Sequence, residues 1–369
     1  MQKKQQVAII DVGSSKITAV VAERGINKTF LFKGRFEYPY EGYADGAFFE
    51  EEALSVILRR AVSEIRKSSG DKISTVYVGV PGAFTSVMIK DSQISFDNKK
   101  KIKDEDVDAL FDAAFVLTSE KYALINRSAI VYELDDYRRL ASPIGETSGI
   151  LKGKLSFILC DKYFIEKVVP PISSAGIKNV ECVSVSLAEA LYLIDDETRD
   201  RISLMLDVGY ISSTLSLVQG DGIIMEKSFQ FGGGYLTAAI SEKFGIDFDS
   251  AEKLKRKINL CSNSDSEYDV IDCENGSYYS YREAKDAVIT ALDSLCESID
   301  ECLESLPYTL PSYVPLLVTG GGIPYLRGAK EHISSRLGIE VRTIASSVPL
   351  KNKPDESSVL SLLDLALEQ

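Results

Sequence analysis

Short bursts of apolar residues, each ending in a polar or glycine-bearing turn, fill the first 80 positions. Residues 7–11, 17–22 and 29–35 read as strands joined by hairpins. Leu54, Ile57, Leu58, Ala61, Val62 and Ile65 then recur at helical spacing, with Gly70 past the end, and 75–80 is a buried strand. From there to about residue 170 the pattern changes. Residues 87–96 alternate as in a half-buried strand, while 104–115 carry Val107, Leu110, Phe111, Ala114 and Phe115 on one helical face. Residues 128–134 and 155–160 return to strand, and the basic stretch 99–103 reads as a solvated turn or a contact patch. An apolar helix is expected over 185–194, a strand over 223–231 and a helix ending at Gly245. Another helical stretch covers 251–258, 261–280 is a polar loop or hairpin, and 283–306 is a long helix that Pro307 stops. A last helix over 358–367 has a core stripe and is expected to return to the first lobe.

One pattern occurs twice. Val7-Ala8-Ile9-Ile10-Asp11-Val12-Gly13-Ser14-Ser15-Lys16 opens the chain, and Leu204-Met205-Leu206-Asp207-Val208-Gly209-Tyr210-Ile211-Ser212-Ser213 repeats it. Each is an apolar strand running into an Asp-x-Gly turn with hydroxyls. A third turn, Gly320-Gly321-Gly322, follows the strand Leu316-Leu317-Val318-Thr319. Glycine lets backbone N–H groups approach a phosphate without an intervening side chain. Ser14 and Ser15 add hydroxyl donors, and Lys16 adds a positive charge for the outer phosphates. Asp11 and Asp207 would repel phosphate, so their sensible role is to hold Mg²⁺, through water. A lone Asp-x-Gly is an ordinary hairpin; two copies and a glycine triplet point to a nucleoside triphosphate gripped between two half-molecules.

Length and charge narrow the class. At 369 residues the chain can build two or three cores, and its formal net charge of −13 argues against nucleic acid and against unaided binding to an acidic membrane. No apolar run approaches the ~20 residues of a membrane span, and the start at Met1 is no signal peptide. Six cysteines, without a C-x-x-C pair, read as reduced core thiols. One histidine, His332, expected on the surface of a helix, leaves little support for triads or histidine-based metal hydrolysis.

In this order the pieces resemble the actin, sugar-kinase and heat-shock-chaperone ATPase superfamily, and within it most resemble the FtsA family of bacterial cell-division proteins. The resemblance runs from about residue 7 to the C-terminus. It rests on Asp11 to Lys16, on residues 102–109 (like "I-x-x-x-D-V"), and on residues 142–149 (like "N-P-V-G-M-S-G"). Ser174-Ala175-Gly176-Ile177, Ser186-Leu187-Ala188, Phe231-Gly232-Gly233, Ala251-Glu252-Lys253-Leu254-Lys255 and the Gly320 turn add to it. It implies an α/β, two-lobed actin-like fold of duplicated ribonuclease H-like lobes with a small inserted β/α module of SHS2 type. The expected first lobe is 1–80 with 171–198 and 345–369; the module is 81–170. The second lobe core is 199–240 with 308–344, and its tip is 241–307.

The resemblance further implies ATP with Mg²⁺ as ligand. Contacts fall to Asp11, Gly13, Ser14, Ser15 and Lys16, to Asp207, Gly209 and Ser212, and to Gly233 and Gly234. Glu252 and Lys255 meet the nucleoside, and Gly320, Gly321, Gly322 and Ile323 complete the set. Implied partners are an FtsZ-type tubulin homologue, other division proteins and further copies of the chain in a filament, at the inner face of the membrane at the division site.

Departures temper this. Tyr210 and Ile211 replace two glycines of the relatives' second hairpin, and Thr214 stands where an aspartate would be. No water-orienting glutamate stands out around Val185 to Leu187, Glu189 being the nearest acid, so ATP binding with slow hydrolysis at best is expected and no catalytic residue is assigned. The final segment has no basic membrane-surface helix, so no direct anchor is expected in this chain. The helix expected to meet FtsZ is acidic, with Arg282 and Lys285 near its start. The alternatives are a PilM-like pilus-assembly adaptor and, further off, a small-molecule kinase of the same superfamily.

Overall fold

Two five-stranded sheets of identical topology organise the chain. The first runs Asn179–Ser184, Thr75–Val80, Gln6–Val12, Lys16–Arg24, Phe30–Pro39. The last three form an antiparallel meander, and the first two join it in parallel. The second runs Val341–Thr343, Leu316–Thr319, Ser203–Val208, Ser213–Gln219, Gly222–Phe229, with the same pattern of directions. The repetition legible in two ten-residue stretches therefore extends over whole sheets. Asp11 is paired with Thr18 and lies beside Gly79; Asp207 is paired with Thr214 and lies beside Thr319. This computed structural model describes residues 6–368 apart from 27–28, 41, 71–72, 263–269, 273–277, 307–308 and 350.

Strand alternation sorts the first core onto two faces. Ala8, Ile10, Val12, Ile17, Ala19 and Val21 pack against Leu54, Leu58 and Val62 of the helix Glu51–Ser69. Val7, Ile9, Val20 and Ala22 face the other way, against Leu360, Leu363 and Ala366 of the C-terminal helix Ser357–Glu368. The chain's end thus closes the sheet with which it began. Gly70, at φ 61°, ends the first helix with an N–H donated back to Lys67 O, as its position past the periodic stretch predicts.

A third, four-stranded antiparallel sheet runs Thr85–Lys101, Thr147–Asp161, Tyr122–Leu134, Arg139–Leu140. The helix Asp104–Ala114 covers one face through Leu110 and Phe111, against Leu151, Leu155 and Phe157. Lys99, Lys100 and Lys101 finish the first strand instead of forming a turn, because Lys100 and Lys101 pair with Ser148 and Thr147. Ile102 is buried, and its N–H donates to Glu146 O at 2.8 Å. Nor is the basic stretch free: Lys99 pairs with Asp135 at 3.0 Å and Lys100 with Asp106 at 2.6 Å.

Other elements fall close to their expected places: helices Val185–Leu193, Gly233–Phe244, Phe248–Lys255 and Tyr281–Glu304. Pro307 lies outside the described residues. So does most of 261–280, of which Val270–Asp272 and Tyr278–Ser280 pair as a hairpin. Cys160 and Cys296 are buried as expected, but Cys261 is exposed, and Cys273 lies outside the described residues. His332 is partly shielded, its Nε2 2.9 Å from Asp293 Oδ1. Among the described residues no helix is long and apolar enough to cross a membrane.

Candidate functional site

The two repeated turns face each other across a cleft of about 430 Å³ between the five-stranded sheets. One wall is Asp11, Gly13, Ser14, Ser15 and Lys16; opposite lie Asp207, Gly209 and Ser212. Gly320, Gly321 and Gly322 close a third side, and Gly233, Glu252 and Lys255 a fourth. Sixteen positions were expected at this site, and two of them lie behind its lining. Ile323 is buried in the second core. Gly234 packs on Tyr210, to whose carbonyl its N–H donates at 2.8 Å.

The turns share their local geometry. The Gly13 N–H donates to Lys16 O at 3.0 Å, and the Gly209 N–H to Ser212 O at 3.1 Å. A Cβ on either glycine would stand 2.8 Å from that same carbonyl, so each turn closes only over a glycine. The Ile211 N–H donates to Ser14 Oγ at 3.1 Å, so the two turns touch across the cleft. That contact occupies one of the donors that a phosphate would otherwise use. The Gly233 N–H, at the start of its helix, is likewise taken by Gly209 O at 2.9 Å.

Charge is distributed unevenly. Lys16 is paired with Glu37 at 3.1 Å, so a phosphate would compete for it. Lys255 Nζ donates to Gly233 O at 3.0 Å and Thr237 Oγ1 at 2.8 Å, and lies 2.6 Å from Glu252 Oε2. Burial draws its pKa down despite that partner. Burial opposes the Glu252 carboxylate too, yet hydrogen bonds from Lys255, Thr237 and Arg256 hold it below its ordinary value. The pair read from the sequence as nucleoside contacts is therefore a preorganised ion pair on the cleft wall.

Three carboxyl groups meet at the floor. Burial raises Asp11 against the opposing hydrogen bond from Ser358 Oγ at 2.8 Å. Burial and the neighbouring Asp11 push Asp207 up to about 7. Glu189 is 1% exposed, neither oxygen has a hydrogen-bond partner, and burial followed by the charges of Asp207 and Asp11 raises it well above its usual range. All three line the same lumen. Such a floor favours protons or a hard cation with oxygen ligands. Among the described residues no group of three or more His, Cys, Asp or Glu side chains is arranged to hold a metal ion.

Glu189, in sequence only the nearest acid to Val185 to Leu187, lines the cleft. It is the one charged residue in the helix Val185–Leu193, and a lone acid in an otherwise apolar, buried helix was the available signal. Ser186, Tyr210, Thr214, Arg256, Asp355 and Ser358 also line the cleft and were missed. Tyr325 Oη donates to Asp355 Oδ1 at 2.6 Å on the rim.

The fold is that of the actin-like ATPases. The chain superposes on a chain of the PilM-PilN type IV pilus biogenesis complex with a TM-score of 0.66 at 18% identity, covering 100% of both. On MreB5 of Spiroplasma citri bound to ADP the score is 0.56 at 12% identity, covering 97% of this chain and 94% of that one. In sequence the chain is FtsA-like: it is 22% identical to cell division protein FtsA of Enterococcus hirae, over 99% of its own length and 84% of the relative's. Residues 160–272 also match the family described as type IV pilus assembly protein PilM.

Proposed function

We propose that the chain is an ATP-binding, actin-like adaptor of the bacterial division machinery that works through partners more than through turnover. The observation that carries this reading is the pair of Asp-x-Gly turns facing each other over a floor of carboxyls, with Gly320 to Gly322 beside them. Residues 1–80, 171–198 and 345–369 would form the first lobe, 81–170 an inserted module, 199–240 and 308–344 the second lobe core and 241–307 its tip. ATP would lie between the turns with Mg²⁺ held by Asp11 and Asp207 through water, and with Glu252 and Lys255 against the nucleoside. The FtsA relatives support partners among division proteins; an FtsZ-type filament would be the first of them, at the division site. The actin-like fold supports head-to-tail self-association, an arrangement that propagates without closing. Lys99 and Lys100 already have partners in their own chain, so a subunit contact built on them would have to exchange those pairs.

Asp11→Ala and Lys16→Ala should each weaken Mg-ATP binding roughly tenfold or more, the loss of one charge-assisted contact, while Lys99→Ala leaves it unchanged. Calorimetric titration reads this directly, and equal affinities in all three variants would move the site elsewhere. Steady phosphate release at a kinase-like ~1–100 s⁻¹ would overturn the adaptor reading.

A PilM-like pilus-assembly adaptor is the second reading, favoured by the family match over residues 160–272 and the superposition on the PilM-PilN complex. Capture of partners from the source cell, with and without ATP, decides between them. Recovery of a tubulin-like protein is expected; recovery of pilus-assembly proteins instead would reverse the choice.

A further inference from the structure

Behind the cleft wall, one carboxyl joins the two sheets. Glu226 lies on Gly222–Phe229, the edge strand of the second sheet, and its Oε1 accepts from Ser186 Oγ at 2.7 Å. Ser186 belongs to the helix Val185–Leu193, which leaves the edge strand of the first sheet. The corner after Thr75–Val80 presses on the same point. A Cβ on Gly82 would lie 2.7 Å from Glu226 Oε1 and 2.5 Å from Thr214 Oγ1, so only glycine lets the two halves meet here. Gly82, Ser186 and Thr214 all line the cleft. Glu226 Oε2 is buried without a hydrogen-bond partner, and so is the hydroxyl of Ser216, its cross-strand neighbour.

Among the described residues no cation pairs with this group: Lys227, next in the strand, alternates to the other face, near Cys302. The corner 81–85 and the strand Ser213–Gln219 carry no charged side chain, and the helix carries one, Glu189. The third sheet reaches Glu226 through the Thr85 hydroxyl at the start of its first strand, and meets the other end of the Glu226 strand through Ile130, Ser156 and Ile158 against Gly222 and Ile223. Arg127 on that sheet is committed to Asp108 and Asp112.

We propose that Glu226 is a proton-dependent clasp between the two halves of the molecule, holding the cleft wall together as a neutral acid and loosening it as an anion. Burial pushes its pKa up to about 7, against the opposing hydroxyls of Ser186 and Thr85. Parting the two halves would return the group to water and to its ordinary value. The clasped form is therefore fully favoured below that ordinary value, loses ground as pH rises towards 7, and changes no further above it. A proton thus acts on the same wall that a ligand in the cleft would touch, whichever ligand that is.

Hydrogen exchange of the ligand-free protein, corrected for intrinsic rates, tests this at the amides of 82–85 and 185–187 between pH 5 and 8. Wild type should lose protection roughly tenfold or more up to pH 7 and then level off. Glu226→Gln, which mimics the neutral acid, should keep the pH 5 protection throughout. Asp207 and Glu189 are present in both proteins, so the difference between them isolates Glu226. Ser186→Ala, which removes the hydroxyl donor, should exchange at pH 5 as fast as wild type at pH 8, and it decides the matter if Glu226→Gln fails to fold. A wild-type pH profile in Glu226→Gln, or unchanged exchange at pH 5 in Ser186→Ala, would overturn the clasp.

Discussion

Gly320→Ala should cost the chain about 2–4 kcal/mol, more than any other single-methyl change at the cleft. Two independent penalties add. The residue sits at φ 85°, where an L side chain costs roughly 1 kcal/mol. Its Cβ would also run into Asp207 Oδ1 and the Val208 carbonyl, whose carbon lies 2.8 Å away, and such overpacking costs typically 1–3 kcal/mol. Gly338 supplies the control: it has φ 67°, but nothing lies within 4 Å of its Cβ position. Gly338→Ala should therefore cost only the conformational part, about 1 kcal/mol. The chain has no tryptophan, so urea unfolding is best followed by circular dichroism. Equal midpoint shifts in the two variants would show that the turn yields and that Asp207 is not pinned by it. If the larger shift appears, Mg-ATP affinity should fall with it, because the displaced group is the carboxyl itself.

Leu360→Ala should be at least as damaging, at about 2–5 kcal/mol. Leu360 is 0% exposed and packs, with Leu363 and Ala366, on Val7, Ile9, Val20 and Ala22. The helix Ser357–Glu368 packs on one face of the first sheet, mainly against Gln6–Val12 and Lys16–Arg24, the first strands of the chain. A cavity there would loosen a contact between the two ends of the sequence. Ser358, two residues before Leu360, donates to Asp11, so the floor of the cleft should register the loss as well. Val56→Ala, at a position 62% exposed on the helix Glu51–Ser69, should stay within about 0.5 kcal/mol. Thermal unfolding of both variants measures the difference. A Leu360→Ala midpoint as close to wild type as that of Val56→Ala would mean that the helix is not part of the first core.

Local pattern determined a good deal of this protein. Short apolar runs ending in polar or glycine turns placed Gln6–Val12 and Lys16–Arg24 within one or two residues, and helical spacing plus Gly70 placed Glu51–Ser69. Those signals work because a strand with two buried faces and a helix with one must carry their burial in their own residues. The Asp-x-Gly turns were legible for a related reason. Gly13 and Gly209 are needed to close their own turns, an interaction within four residues of chain. Ile323 and Gly234 show the limit of reasoning by neighbourhood, since each adjoins a cleft residue but points into packing instead.

What the chain could not disclose by itself is which distant groups share a wall. Glu189 reaches the floor beside Asp11 and Asp207 only because the helix Val185–Leu193 crosses between the sheets. Ser358 reaches Asp11 across nearly the whole length of the chain, and Glu226 reaches Ser186 from the far edge of the other sheet. The basic run 99–103 read as a solvated turn or a contact patch; the fold sets Asp135 beside Lys99 and the first turn of the next helix sets Asp106 beside Lys100. Secondary structure follows from interactions between near neighbours in sequence, which periodicity records. The electrostatics of the cleft come from long-range packing, which brings like charges together out of water and leaves no periodic trace in the sequence.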